Sequence, residues 1–390
     1  MIQNITKDIL YIGVDDPEQQ LFESQYHTPD GMCYNSYVVM DEKVAVMDTS
    51  DSRTLQQWQQ NLTEALAGRQ PDYLIVHHLE PDHASGIAAV AAQYPEMTIV
   101  CTAKAKQMMP QYFDDESLLA RVQTVKEGDT LALGRHTLRF FLAPMVHWPE
   151  VMVTYDEADH ALFSADGFGK FGVREADADD WACEARRYYF NICGKYGGPV
   201  QMLLKKAATL SIDRILPLHG PVLEGEKMAE ALRLYGIWSS YGVETEGVFI
   251  AHASIHGNTA AAAARLAEIL KAKGCPKVAV SDLCRDDLHE AIEDAFRYGK
   301  MICMASSYDA GVFPPMYDFL HHLDIKAYQQ RRVGLVENGS WAPSAAKTMR
   351  AMLEGMKAVE IVEPVVTLRG RMKEADIPQL EALAEATLTD

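Results

Sequence analysis

Seven consecutive residues, His77-His78-Leu79-Glu80-Pro81-Asp82-His83, constrain this chain more than any other stretch of it. They follow directly on an apolar run, Tyr73–Val76, of the kind that forms a buried strand. Four of them (His78, Glu80, Asp82 and His83) carry side chains that ligate metal ions. In a loop leaving a strand, alternate side chains can converge on one point. Pro81 interrupts the helical alternative by removing a backbone donor and clashing with the preceding turn. His77 falls out of the alternating set and points the other way along the strand, which gives it a structural role. The cluster still holds too few groups to complete two metal sites, so it needs partners from elsewhere. Three are available at the ends of strand-like segments: His147 after FFLAPMV, Asp166 after ALFSA and His219 after RILPL. Each alone reads as an ordinary structural residue. Together with the cluster they read as ligands, because a buried ionisable group is costly unless it is paired or metal-bound.

The remainder of the chain divides into two styles. Up to about residue 245, short strand candidates (Tyr37–Met40, Val44–Asp48, Tyr73–His77, Thr98–Cys101, Thr137–Leu142, Val151–Tyr155, Ala161–Ser164) are interleaved with helical stretches such as Thr54–Ala67 and Ala84–Gln93, which suggests an α/β sandwich. Beyond it the pattern is regular: strand Val248–Ala251, helix Thr259–Lys273, strand Lys277–Val280, helix Asp287–Arg297, strands Met301–Ala305 and Arg332–Val336, helix Ala345–Gly355 and strand Val359–Val366. That alternation predicts a parallel sheet with helices on both faces. The boundary falls near Tyr241–Gly247, and 390 residues exceed the usual size of one core.

Composition narrows the function. A formal charge of −19 repels phosphate backbones, which argues against nucleic acid as a partner. No apolar run reaches the roughly 18 residues that span a bilayer. The N-terminus MIQNITKDILYIG lacks the pattern of a secretory signal, so a cytoplasmic location is expected. Seven cysteines, none spaced Cys-x-x-Cys, disfavour a disulfide framework, a thiolate zinc site and an iron–sulfur or rubredoxin-type centre.

In the second half, Ser254-Ile255-His256-Gly257-Asn258-Thr259 joins a strand to a helix. Such a hydroxyl-rich turn presents backbone N–H groups to a phosphate, aided by the helix dipole. It lacks the lysine of a P-loop, which disfavours a nucleoside triphosphate; a plain helix cap is the simpler alternative. Two further strand-end loops accompany it, Ser306-Ser307-Tyr308-Asp309-Ala310-Gly311 and Asn338-Gly339-Ser340-Trp341.

The His-x-Glu-x-Asp-His pattern followed by distant His, Asp and His resembles the metallo-β-lactamase superfamily. Glu80 in the second place and Asp166 between the later histidines resemble the flavodiiron proteins, as do the words YNSYVV (34–39), HWPE (147–150), LFSADGFG (162–169) and YYFNI (188–192). The resemblance covers essentially the whole chain. It implies a metallo-β-lactamase-like αββα sandwich over residues 1–245 and a flavodoxin-like FMN-binding domain over 246–390. One iron would be held by His78, Glu80 and His147 and the other by Asp82, His83 and His219, with Asp166 bridging; His83 is the ligand that varies within the family. Oxygen-rich donors also suit a redox-active iron pair better than zinc. In the FMN domain, Ser254, Asn258 and Thr259 would contact the phosphate, and Tyr308 and Trp341 would neighbour the ring. The family more often has a small polar residue where Leu218 precedes His219, so hydrogen bonding around that histidine is expected to differ.

The implied activity is reduction of O2 to water, of NO to N2O, or of both. Electrons would pass through FMN from a separate rubredoxin-like protein or reductase, since the chain has no Cys-x-x-Cys and no extension beyond Asp390. The resemblance further implies a head-to-tail homodimer, or a dimer of dimers. Two rivals are a zinc hydrolase with an appended flavodoxin domain and a simple electron carrier whose first domain serves only for docking.

Overall fold

The structure, a computed structural model, describes residues 2–176 and 180–389. The chain forms two compact units, one of residues 1–189 and 198–236, the other of residues 190–197 and 237–390. The sequence pattern alone places the division at 245/246. In the structure the chain passes from one unit to the other earlier, and a short segment around Asn191 counts with the second unit.

The first unit is built on two stacked sheets. One has seven strands, and its four central neighbours are Tyr37–Met40, Val44–Met47, Tyr73–Ile75 and Thr98–Thr102. The other has six, including Thr137–Leu142, Met152–Asp156, Ala161–Phe163 and Arg214–Leu216. Strands of the first sheet are apolar on both faces, and the two-residue period sorts them. Val39, Ala45, Met47, Ile75 and Val100 face the second sheet, where Leu138, Phe140, Met152, Phe163 and Leu216 complete the inner core. Val38, Val44, Val46, Leu74 and Ile99 face outward and are covered by Trp58 and Leu62 of helix Leu55–Leu66 and by Ile87 and Val90 of helix Ile87–Gln93. The first sheet is packed on both faces, and strand Ala161–Phe163 of the second is buried throughout; the loops that carry the candidate ligands leave from the ends of such strands. The expected helix Ala84–Gln93 is instead two pieces, Pro81–Ala84 and Ile87–Gln93. Pro81 occupies the first turn of the earlier piece, where its missing N–H costs nothing, so the cluster is a strand end followed by one helical turn.

The second unit holds a six-stranded sheet whose five main strands run in the order Val278–Asp282, Thr245–Ala253, Tyr298–Tyr308, Arg332–Asn338, Glu360–Leu368, each neighbouring pair parallel, with the short strand Gly311–Val312 antiparallel to Tyr298–Tyr308 off that path. The first strand in sequence lies between the second and third, which makes its C-terminal end a topological switch point where open α/β sheets bind ligands. Helices Asn258–Ala272 and Ile377–Leu388 cover one face through Leu266, Leu270, Leu380 and Leu383. Phe249 meets Phe319 of helix Pro314–Ile325, with ring centroids 6.3 Å apart. That helix and the C-terminal one were not expected from sequence. Pro314 and Pro315 open the former, and proline in the first turn is itself a start signal.

Candidate metal centre and cofactor cavity

The seven residues singled out in the first half meet in two adjoining sets, both buried within the first unit. His78, Glu80, His147 and Asp166 form one, and Asp82, His83 and His219 the other. In the first set Asp166 Oδ2 lies 3.3 Å from His78 Nε2 and 3.2 Å from His147 Nε2. Glu80 Oε2 stands 3.1 and 3.0 Å from the same two nitrogens. Asp166 turns its other oxygen, Oδ1, toward the second set, 3.8 Å from His83 Nε2 and 3.7 Å from His219 Nε2. There Asp82 Oδ2 approaches the two imidazoles at 3.3 and 3.2 Å. The two Nε2 atoms of His83 and His219 are only 3.0 Å apart. His219 Nδ1 lies 2.7 Å from the Cys33 carbonyl, which accepts its proton, so its Nε2 presents a lone pair at the convergence point. One carboxylate thus faces each set with one oxygen.

A surrounding layer fixes these groups. Glu150 Oε1 holds His78 Nδ1 at 2.7 Å and accepts the Leu79 N–H at 3.0 Å, which leaves His78 Nε2 for the centre. Asn35 donates to the carbonyls of Pro217 and Gly220 on either side of His219. The main chain of Leu218 bonds to Ala165 and Asn35, so the segment is held through its backbone and the identity of that side chain matters little to it. His77 points away from the centre, to Asp48 and Thr154 at 2.5 and 2.7 Å. Phe168, two residues past Asp166, donates its N–H to Tyr235 Oη at 2.6 Å. Met145, Ala165 and Phe168 have left-handed backbones; such strain costs about 1–3 kcal/mol each and concentrates at functional loops. The rings of Phe22, Tyr34 and Tyr188 surround His219, and Trp148 stands edge-on to His78 at 5.0 Å.

Electrostatics point the same way. Burial works against charge on His147, yet Asp166 and Glu80 hold its pKa at about 9. His78 and His219 are raised against the same burial, chiefly by Asp166 and Asp82 respectively. At His83 burial wins and the pKa falls. Burial likewise opposes ionisation of Glu80 and Asp166, but the facing imidazoles keep both well below the usual carboxylate range. Without an ion, protons on imidazole supply the positive charge that the carboxylates demand. Both oxygens of Asp82, both of Asp166 and Nε2 of His147 are buried with no hydrogen-bond partner. Buried polar atoms left unpaired are rare, and here they all converge. A third ligand-type group, His136, Asp156 and Asp159, differs in this respect. Its acceptors are filled by Thr6, Arg135 and the backbone of Ala158 and Asp159, and it reads as a structural network.

In the second unit the three predicted loops line one cavity of about 640 Å³ at the switch point. Ser254, Ile255, His256, Asn258 and Thr259 form one side, Ser306–Ala310 another, and Asn338–Trp341 a third. Gly257 and Gly311 do not line it. Gly257 is the turn residue before helix Asn258–Ala272, with φ of +84°, and Gly311 pairs with Tyr308 in a small hairpin. Ala342, Pro343, Ser344 and Gly370 also line the cavity; nothing in their residue types set them apart beforehand. Ser254 is buried with its hydroxyl unpartnered, beside the N-terminus of a 15-residue helix, a place suited to a phosphate. Tyr308 and Trp341 are 46% and 90% exposed, apolar faces against which a flat ring can stack.

A metallo-β-lactamase-like unit carrying two adjoining sets of ligand-type side chains and a flavodoxin-like unit with a cavity at its switch point define the fold class of this chain. Residues 32–220 match the family model of ODP family beta lactamases. The anaerobic nitric oxide reductase flavorubredoxin of Escherichia coli is 27% identical over 362 residues, 90% of this chain and 74% of that protein. Two solved structures share the fold at 24% identity: the rubredoxin oxygen:oxidoreductase of Desulfovibrio gigas (TM-score 0.92, covering 99% of this chain and 98% of that one) and the flavodiiron protein of Giardia intestinalis (TM-score 0.93, 100% and 97%). The chain is thus similar in sequence to a flavorubredoxin and shares its fold with flavodiiron proteins.

Proposed function

We propose that this protein reduces O2 to water, NO to N2O, or both, at a non-haem iron pair, with electrons relayed by FMN from an external donor. The observation that carries this reading is Asp166, whose two oxygens each face one of two buried, unsatisfied ligand sets. The donors fit the ions: imidazole nitrogens and carboxylate oxygens suit iron, and bound cations would take over the charge that protonated imidazoles otherwise supply to Asp82 and Asp166. His78, Glu80 and His147 would hold one iron, Asp82, His83 and His219 the other, with Asp166 between. When bound, the ferrous pair and reduced FMN each supply two electrons, enough together to take O2 to two waters, and two suffice to join two NO molecules into N2O and water.

The chain's own residues do the rest. Glu150 and the Cys33 carbonyl fix the tautomers of His78 and His219 so that both Nε2 atoms face inward. Trp148, Phe22, Tyr34 and Tyr188 restrict water around the imidazoles. Ser254, Asn258 and Thr259 take the phosphate end of the flavin, and the loops Ser306–Gly311 and Asn338–Trp341 flank its ring. The functional division we assign is 1–245 for the metal and 246–390 for the flavin.

The donor we infer is a rubredoxin-like protein or a reductase, and the assembly a head-to-tail homodimer or a dimer of dimers. Among the described residues no helix is long and apolar enough to cross a membrane, which supports a cytoplasmic site of action. The test is anaerobic turnover with each gas, using chemically reduced rubredoxin, on protein of measured iron, zinc and FMN content. Iron-dependent consumption of either gas supports the reading; full occupancy by zinc with hydrolysis of a thioester or phosphodiester contradicts it.

A further inference from the structure

Helix Ala345–Leu353 begins beside the flavin cavity without a cap of its own, since the Ser344 side chain makes no capping bond. Its first N–H groups are satisfied from other strands. Ser307 Oγ accepts from Ser344 N at 2.8 Å and from Ala345 N at 3.2 Å. Glu337 accepts from Ala346 N at 2.9 Å. Ser307 lies 37 residues before Ser344, at the end of strand Tyr298–Tyr308, and lines the same cavity. The Ser344 hydroxyl returns the tie by donating to Gly311 O at 2.9 Å. Gly339 closes the junction: a Cβ there would sit 3.0 Å from Ser307 Oγ and 2.9 Å from Pro343 Cα.

A serine hydroxyl has two lone pairs and one proton. At Ser307 both lone pairs are engaged by N–H donors at the positive end of a helix. What remains is the proton, on a residue that lines the cavity. Donors that point at a hydroxyl oxygen polarise its O–H bond and strengthen what it donates. Two-electron, one-proton reduction leaves a flavin ring with one negative charge, so such a donor favours the reduced ring over the neutral oxidised one.

Resting on the reading of this cavity as the FMN site, we propose that Ser307 is a specificity-determining contact. Its hydroxyl, held by the N-terminus of helix Ala345–Leu353, donates to the flavin ring and binds reduced FMN more tightly than oxidised FMN. Ser307 lies in strand Tyr298–Tyr308, where β-branched side chains fit. The pair Ser307→Thr and Ser307→Val therefore tests the hydroxyl at nearly constant shape.

The measurements are FMN affinity, the potential of bound FMN by anaerobic spectroelectrochemical titration, and the carbonyl stretching frequencies of the bound flavin. A charge-assisted hydrogen bond corresponds to about tenfold in relative affinity, which for the two-electron step is about 30 mV. Ser307→Val should lower the potential by that amount and shift a flavin carbonyl band upward, while Ser307→Thr stays near wild type in both. Unchanged potential and vibrations in Ser307→Val with FMN bound would overturn the proposal. If Ser307→Val no longer retains FMN, the comparison moves to affinity: normal binding by the Thr variant supports the hydroxyl contact, and equal loss in both contradicts it. Failure of the wild-type protein to bind FMN at all would sink the flavin reading itself, a separate and recognisable result.

Discussion

The two sites of this protein solve opposite recognition problems. The candidate metal centre is assembled from charged and ring side chains in loops that leave buried strands, and the unsatisfied oxygens of Asp82 and Asp166 lie where its two ligand sets converge. The flavin cavity is assembled from hydroxyls, glycine turns, main chain and exposed aromatic faces. A metal ion has charge and almost no shape, so only a rigid, charged constellation selects it. A flavin has shape, a flat ring and one phosphate, so a cavity with a few placed donors is sufficient. Each site should then fail in its own way, with little effect on the other.

The largest expected effect comes from the shared carboxylate. Asp166→Ala removes a ligand from both sets, and loss of metal-supplied charge stabilisation is expected to lower turnover by about 1000-fold or more. The absorbance of bound FMN should stay at the wild-type level; loss of the flavin as well would break the comparison. Smaller is the effect of Glu150→Ala, which frees His78 Nδ1 from its buried partner. Outer carboxylates of this kind are worth about 10- to 100-fold in metal affinity, to be read by competition with a chelator. On the flavin side, Ser254→Ala should weaken FMN about tenfold by equilibrium dialysis, with the iron content unchanged. Smallest is a proton count. Because the pKa of His147 is raised to about 9 and that of His78 well above its ordinary value in the metal-free centre, these two hold protons at neutral pH that an ion must expel. Metal uptake by apoprotein should therefore release protons and weaken as the pH falls; FMN uptake under the same conditions should not release them. A pH-indicator titration of both reports the difference.

The two sites were also unequally legible in the sequence. All seven proposed metal ligands stood out because a charged residue at the end of an apolar strand is costly and therefore informative. The residues that orient them did not. Glu150 sits in HWPE, and Cys33 acts through its carbonyl; neither has a spacing that marks its role, since each is defined by a partner far away in the chain. Strands such as Tyr37–Met40 and Thr137–Leu142 were read to the residue, because local alternation decides them. Helix Pro314–Ile325 has only its paired prolines to mark its start. The cavity's three loops were located, but the tie between Ser307 and Ser344 depends on tertiary packing across 37 positions and has no local trace.

The central claim is that one carboxylate joins two irons beside an independent flavin. Mössbauer spectroscopy of protein reconstituted anaerobically with 57Fe, with FMN quantified in the same sample, tests it most directly. The account predicts two irons per FMN, magnetically coupled in the wild type, and loss of that coupling with FMN intact in Asp166→Ala. A single iron per chain, or two irons whose coupling survives that substitution, would contradict it.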